Sequence, residues 1–191
     1  MSVSTYIWLG VLAVIAIYGI VIYNGLVNLK HAVSQAWSNI DVLLKQRHDE
    51  LPKLVETCKQ HMQFEKNTLE SVMQARSAAN NARQQGDVKG VGQAESMMRL
   101  GLGNIVATVE AYPELKADKS MANLLGRITG LENAIADRRE FYNEAVNRNN
   151  VRIEQFPDVI VARLLNFRER DLLEFSEAEK ADVDVKALFA S

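Results

Sequence analysis

Three histidines, one cysteine, a glycine cluster and a few polar residues on apolar stripes are where chemistry would have to sit in this 191-residue sequence. A metal held on one helix needs imidazoles about one turn apart, and His31, His48 and His61 do not offer that; His48 and His61 are thirteen residues apart. They read as surface or interfacial side chains. Cys58 has no second cysteine, so neither an intrachain disulfide nor a multi-cysteine metal site can form. It falls on an apolar stripe, where a thiol behaves as a small hydrophobe with a raised pKa. Gly86, Gly90 and Gly92 follow a helical stretch instead of a strand and lack the neighbouring Lys-Ser/Thr of a phosphate loop, so they read as a linker. No nucleophile with a base and no metal cluster emerges. The sequence reads as a non-enzyme with no cofactor.

Two polar residues fall on the third apolar stripe, Arg138 and Asn149, and buried polar groups need partners. In helical assemblies such residues set register or oligomer state at a cost in stability. Glu132, Glu140 and Asp41 are the acids available to Arg138. Trp37, followed by Ser38-Asn39-Ile40-Asp41, is placed to anchor packing between helices through a large ring with one donor nitrogen.

The elements that position these groups begin with an uncharged opening: no Asp, Glu, Lys or Arg occurs before Lys30. The eighteen residues from Tyr6 to Tyr23 hold ten Ile, Leu or Val. As a helix they rise ~27 Å, close to a bilayer's hydrocarbon thickness, and the ten aliphatic residues favour lipid by about 3 to 6 kcal/mol. With neither a cationic start nor a small-residue cleavage site, the segment reads as an uncleaved transmembrane anchor. Tyr6, Trp8 and Tyr23 fall at the two headgroup layers. Gly10, Ala13, Ala16 and Gly19 recur every third residue, a smooth ridge a second helix can approach. Lys30, Lys45 and Arg47 follow the span, which predicts the N-terminus outside and the remainder in the cytoplasm.

Twenty-two Lys and Arg stand against twenty-four Asp and Glu, a net charge of −2 with no basic block, so nucleic acid is discounted as a partner. Beyond the span the apolar beat is helical: Leu26, Leu29, Val33, Ala36, Ile40 and Leu43, then Leu51, Leu54, Cys58, Met62, Leu69 and Val72. Pro52 is expected to bend or break this stretch, with Asp49 available to cap a fresh start. A stop falls at Gln85-Gly86-Asp87. A second stripe runs Ala94, Met98, Leu102, Ile105, Val109 and Tyr112 to Pro113, with Gly101 and Gly103 allowing a close neighbour. The third, Met121, Leu124, Ile128, Leu131, Ile135, Arg138, Tyr142, Ala145, Asn149, Ile153 and Phe156, alternates steps of three and four like a coiled-coil seam and ends at Pro157. No alternating β-branched run is present.

The expected fold is therefore all-α: a single N-terminal transmembrane helix continuing into an antiparallel three- or four-helix bundle of long helices. The division is an anchor over 1–27, a helical bundle over 28–167 and an acidic, flexible tail over 168–191. The apolar piece Val159 to Phe167 is expected to cap the bundle, or else to dock on a partner or membrane.

The runs Tyr23 to Val27, Ala36 to Val42, Arg47 to Thr57, Glu110 to Lys116 and Glu132 to Asn143 together resemble the LemA family of bacterial membrane proteins. The resemblance extends from the anchor to Phe167. It implies the bacterial cytoplasmic membrane, a cytoplasmic antiparallel bundle, involvement in membrane organisation and association with a membrane metalloprotease, but it supplies no catalytic residue. Asn39, Arg47, Pro52, Tyr112, Pro113, Glu132, Asn133, Tyr142 and Asn143, all within these runs, join Trp37, Asp41, Arg138 and Asn149 as packing or assembly candidates. One departure is Asn166, which precedes Phe167 where the family leads us to expect glycine. The function expected is a membrane-anchored scaffold in the bilayer that forms homo-oligomers. The alternative is an adaptor for another membrane protein.

Overall fold

Helix α1, Val3–Lys59, runs without interruption from the apolar opening through Pro52. Its buried residues Leu26, Val33, Ile40, Arg47 and Leu54 are seven apart, the spacing that keeps one face of a helix on a neighbour over many turns. Pro52 neither ends nor restarts the helix, so the break considered there does not occur. A proline has no N–H for the carbonyl four residues back, here His48. That carbonyl instead accepts a 2.9 Å hydrogen bond from Arg76 Nε, so the gap in the ladder is filled from another helix.

The computed structural model describes residues 2–61 and 64–175; the place of Met62 on the first stripe and the expectation for 176–191 lie outside them. After α1 come α2, Lys66–Gln85; α3, Val88–Ala111; α4, Pro113–Ala117; α5, Lys119–Glu154; and α6, Asp158–Leu164. Among the described residues there is no strand, and the all-α architecture is as expected. The chain falls into two units. One comprises residues up to Ile40 with Asp137–Leu172, the other Asp41–Ala136 with the residues from Leu173 on.

In the second unit the C-terminal part of α1, α2, α3 and the N-terminal part of α5 share one core. Leu51, Leu54 and Cys58 meet Val72 and Ala75, Met98 and Ile105, and Met121 and Ile128, while Leu115 of α4 closes one end. The break that sequence analysis placed at Pro52 lies instead between Lys59 and Lys66. No glycine or proline marks it. The reason is tertiary: apolar residues on both sides of it belong to the same core, which they can share only if the chain reverses. Gln60 N–H to Thr57 O (3.2 Å) and His61 N–H to Cys58 O (3.0 Å) tighten the end of α1.

Gly86 ends α2 with φ 69°, the left-handed conformation favoured by glycine, and Asp87 at once caps α3 by accepting from Gly90 N–H at 2.9 Å. Gly90 and Gly92, expected in a linker, thus lie inside α3. Gly92 has a local use, since a Cβ there would collide with the carbonyl of Glu174. Leu173 is fully buried, so the tail expected to begin at 168 is packed at this point. Asp118 caps α5 through Ser120 N–H (2.8 Å) and Met121 N–H (3.0 Å), which hold its carboxyl below the usual range.

In the first unit, Ile22 and Leu26 of α1 pack with Ile153 of α5, Ala162 and Val161 of α6, and Phe167. Asn166 has φ 57°. Asparagine is among the few non-glycine residues that enter this region readily, which accounts for its standing where glycine was expected.

Candidate functional site

The strongest concentration of charge within the second unit surrounds Arg47. Its position on the heptad of α1 carries it inside, where it is 2% exposed. One guanidinium nitrogen pairs with Glu95 of α3, itself 4% exposed, and the other with Glu132 of α5. Burial pushes the Arg47 pKa down while Glu132 opposes the shift. A guanidinium remains charged in proteins, so this group fixes geometry and does not exchange protons. Around it, Glu50 meets Arg127 at 2.8 Å and Lys53 at 3.0 Å, and Asp41 meets Arg83 at 2.7 Å. Sliding α1 against α3 or α5 would strand a buried charge here.

Arg138, expected on the buried stripe of α5, lies off it. Arg138 is exposed, with its guanidinium 5.7 Å from the Phe141 ring centroid. The seam runs through Ile135, Tyr142, Val146, Asn149 and Ile153, which puts Arg139 on the inner side. Taking the four-residue step one position earlier in the sequence would have found this. The signal for Arg47 was also present: it occupies the one charged position in the series Leu26, Val33, Ile40, Arg47, Leu54.

In the first unit, the half-buried Trp37 packs its ring 5.4 Å from that of Tyr142. The Tyr142 hydroxyl donates to Asp171 O at 2.9 Å, and burial pushes its pKa up to about 12. Buried Asn149 donates to Asn150 Oδ1 at 3.1 Å. Asn150, which sequence analysis did not consider, clamps Arg170 by accepting its N–H and donating to its carbonyl, each at 2.9 Å. Asn39 and Asn133 are exposed and Asn143 half-buried. Tyr112 is exposed and precedes Pro113, the first residue of α4.

The apolar opening is turned outward. Tyr6 and Trp8 are exposed, Tyr23 lies edge-on to Phe167 at 6.1 Å, and Ala13 and Ala16 are exposed. A Cβ at Gly10 or Gly19 would meet nothing within 4 Å. Cys58 is fully buried and its pKa is pushed up to about 12, which leaves a neutral, unreactive thiol. Among the described residues no three His, Cys, Asp or Glu side chains are grouped to hold a metal ion.

The family model of the LemA family matches residues 36–187. The chain belongs to the LemA family. Two proteins of Paramagnetospirillum magneticum, magnetosome proteins MamQ 1 and MamQ 2, are each 22% identical to this LemA-family chain over 209 residues, covering 95% of it and 76% of their own length. Protein LemA of Metamycoplasma hominis is 28% identical over 167 residues, 86% of this chain and 74% of that one. Among the described residues one helix is long and apolar enough to cross a bilayer, and this member of the LemA family is a membrane-associated helical protein.

Proposed function

We propose that this protein is a non-enzymatic scaffold, anchored by α1, whose copies associate laterally and organise or remodel the membrane. The reading includes the bacterial cytoplasmic membrane, with the N-terminus outside and the helical bundle inside. The observation that carries it is the outer surface of α1, where nine Ile, Leu and Val side chains from Ile7 to Val21 are exposed. On the membrane-insertion scale these nine favour lipid by about 3 to 5 kcal/mol together, so the segment partitions out of water. Anchoring confines the copies to a plane and raises their effective concentration, so weak helix contacts suffice for assembly. The magnetosome name of the relatives supports a membrane-organising role.

The test is the mass of the full-length protein in lipid nanodiscs across a dilution series. Oligomers that dissociate on dilution are expected; a strict monomer at every concentration overturns the reading. A second reading, an adaptor for another membrane protein such as a metalloprotease, draws support from Met97 and Leu100, which are exposed three residues apart on α3. Crosslinking in native membranes separates the two, because self-crosslinks support the scaffold and one heterologous partner supports the adaptor.

A further inference from the structure

Helix α6 covers the lower end of the apolar segment, setting Val161 and Ala162 on Ile22 and Leu26. Its other face is also apolar. Phe156, just before it, and Ile160 and Leu164 follow one another at four-residue steps and are 82%, 59% and 80% exposed. In water such a face on a seven-residue helix is a liability. At the depth of Ile22, next to Tyr23, its surroundings are the boundary between acyl chains and headgroups, where short amphipathic elements rest.

Beside this face, within the same unit, lies a crevice of about 580 Å³ bounded by Tyr23, Lys30, His31, Arg168 and Arg170. Lys30, Arg168 and Arg170 bring three positive charges, and Glu169 is the acid among the lining residues. No carboxylate forms an ion pair with any of the three cations among the described residues. One cation is held through its guanidinium and another through its backbone. Asn150 clamps the Arg170 backbone, and Arg168 Nε donates to Asn166 Oδ1 at 3.2 Å.

We propose that this crevice binds the phosphate of an anionic phospholipid while Phe156, Ile160 and Leu164 enter the acyl boundary, a second lipid contact at the foot of the anchor. The proposal rests on the reading of α1 as a membrane anchor. Guanidinium groups suit a phosphate because their N–H pairs match its oxygens two at a time, and Lys30 adds a point charge. Tyr23 stands where aromatic rings sit in the headgroup layer. A zwitterionic headgroup presents the same phosphate but adds a cation that this crevice would repel.

The test uses the full chain in detergent, titrated with phosphatidylglycerol or phosphatidylcholine and read by native mass spectrometry, together with the Lys30→Gln/Arg168→Gln/Arg170→Gln variant. Neutralising a cation near an anionic lipid weakens binding roughly fivefold, so the variant is expected to lose phosphatidylglycerol on the order of 100-fold. Arg168→Lys/Arg170→Lys keeps the charge but loses the paired N–H groups, so it is expected to bind phosphatidylglycerol more weakly than the parent and more tightly than the triple Gln variant. Equal retention of the two lipids, or an unchanged variant, overturns the proposal. Displacement by millimolar inorganic phosphate would reassign the crevice to a soluble anion and overturn the lipid assignment. A separate alkaline wash of reconstituted vesicles tells the two failures apart: loss of lipid preference in a chain that stays embedded rejects the crevice alone, whereas release of the chain rejects the anchor.

Discussion

Arg47→Met removes the guanidinium that pairs with both Glu95 and Glu132. Methionine keeps most of the stem's volume, so the packing loss stays below about 1.5 kcal/mol. The charge term is larger. Glu95 is 4% exposed and would be left buried without its partner, a loss of about 3–5 kcal/mol against a total stability of about 5–15 kcal/mol. The triple replacement Arg47→Met/Glu95→Leu/Glu132→Met removes all three charges and should recover most of that loss. Urea unfolding of the full-length protein in micelles, followed by far-ultraviolet circular dichroism, measures both through the midpoint at constant slope. A pH series adds a signed check. In the single variant the stranded carboxyl has a folded pKa above its unfolded value of about 4.3, so stability should rise as the pH falls from 7 toward 5. The parent should lack that gain. A loss below about 1 kcal/mol with no response to pH would refute the view that this network fixes the helices.

Arg76→Met should cost about 1–3 kcal/mol by stranding the His48 carbonyl, and much less in a Pro52→Ala background, where the restored N–H takes that carbonyl. Additive effects in the double-mutant cycle would reject the pairing. A Cβ on Gly101 would stand 2.5 Å from Val72 Cγ2, whereas one on Gly103 would meet nothing within 4 Å. Gly101→Ala should therefore cost about 1–3 kcal/mol and Gly103→Ala contribute up to about 1 kcal/mol, both read by thermal unfolding. Tyr142 and Cys58 both have folded pKa values raised to about 12, so their contribution to stability is complete below pH 9 and falls away as the pH rises toward 12. Rapid iodoacetamide labelling of Cys58 in the native protein at pH 8 would contradict this.

The long stripes were legible because a seven-residue repeat survives any context. Leu26, Val33, Ile40 and Leu54, and Met121, Ile128, Ile135 and Tyr142, are buried on those spacings. What misled the reading were positions where a tertiary partner changes a local rule. Pro52 stays in a helix because Arg76 satisfies His48, and the turn before Lys66 forms without a breaker because both flanks share a core. Arg47 falls on the buried heptad of α1 whereas Arg138 lies one position off the buried row of α5, and polarity alone does not reveal that. Asn150 was invisible because its partner is the backbone of Arg170, twenty residues away.

The central claim is that residues from Tyr6 to Tyr23 lodge in lipid. Vesicles carrying the full-length protein, washed at pH 11 and sedimented, measure it directly. The account predicts that the chain remains with the pellet and that removal of residues 1–27 sends it to the supernatant. An intact chain released by the alkaline wash would contradict it.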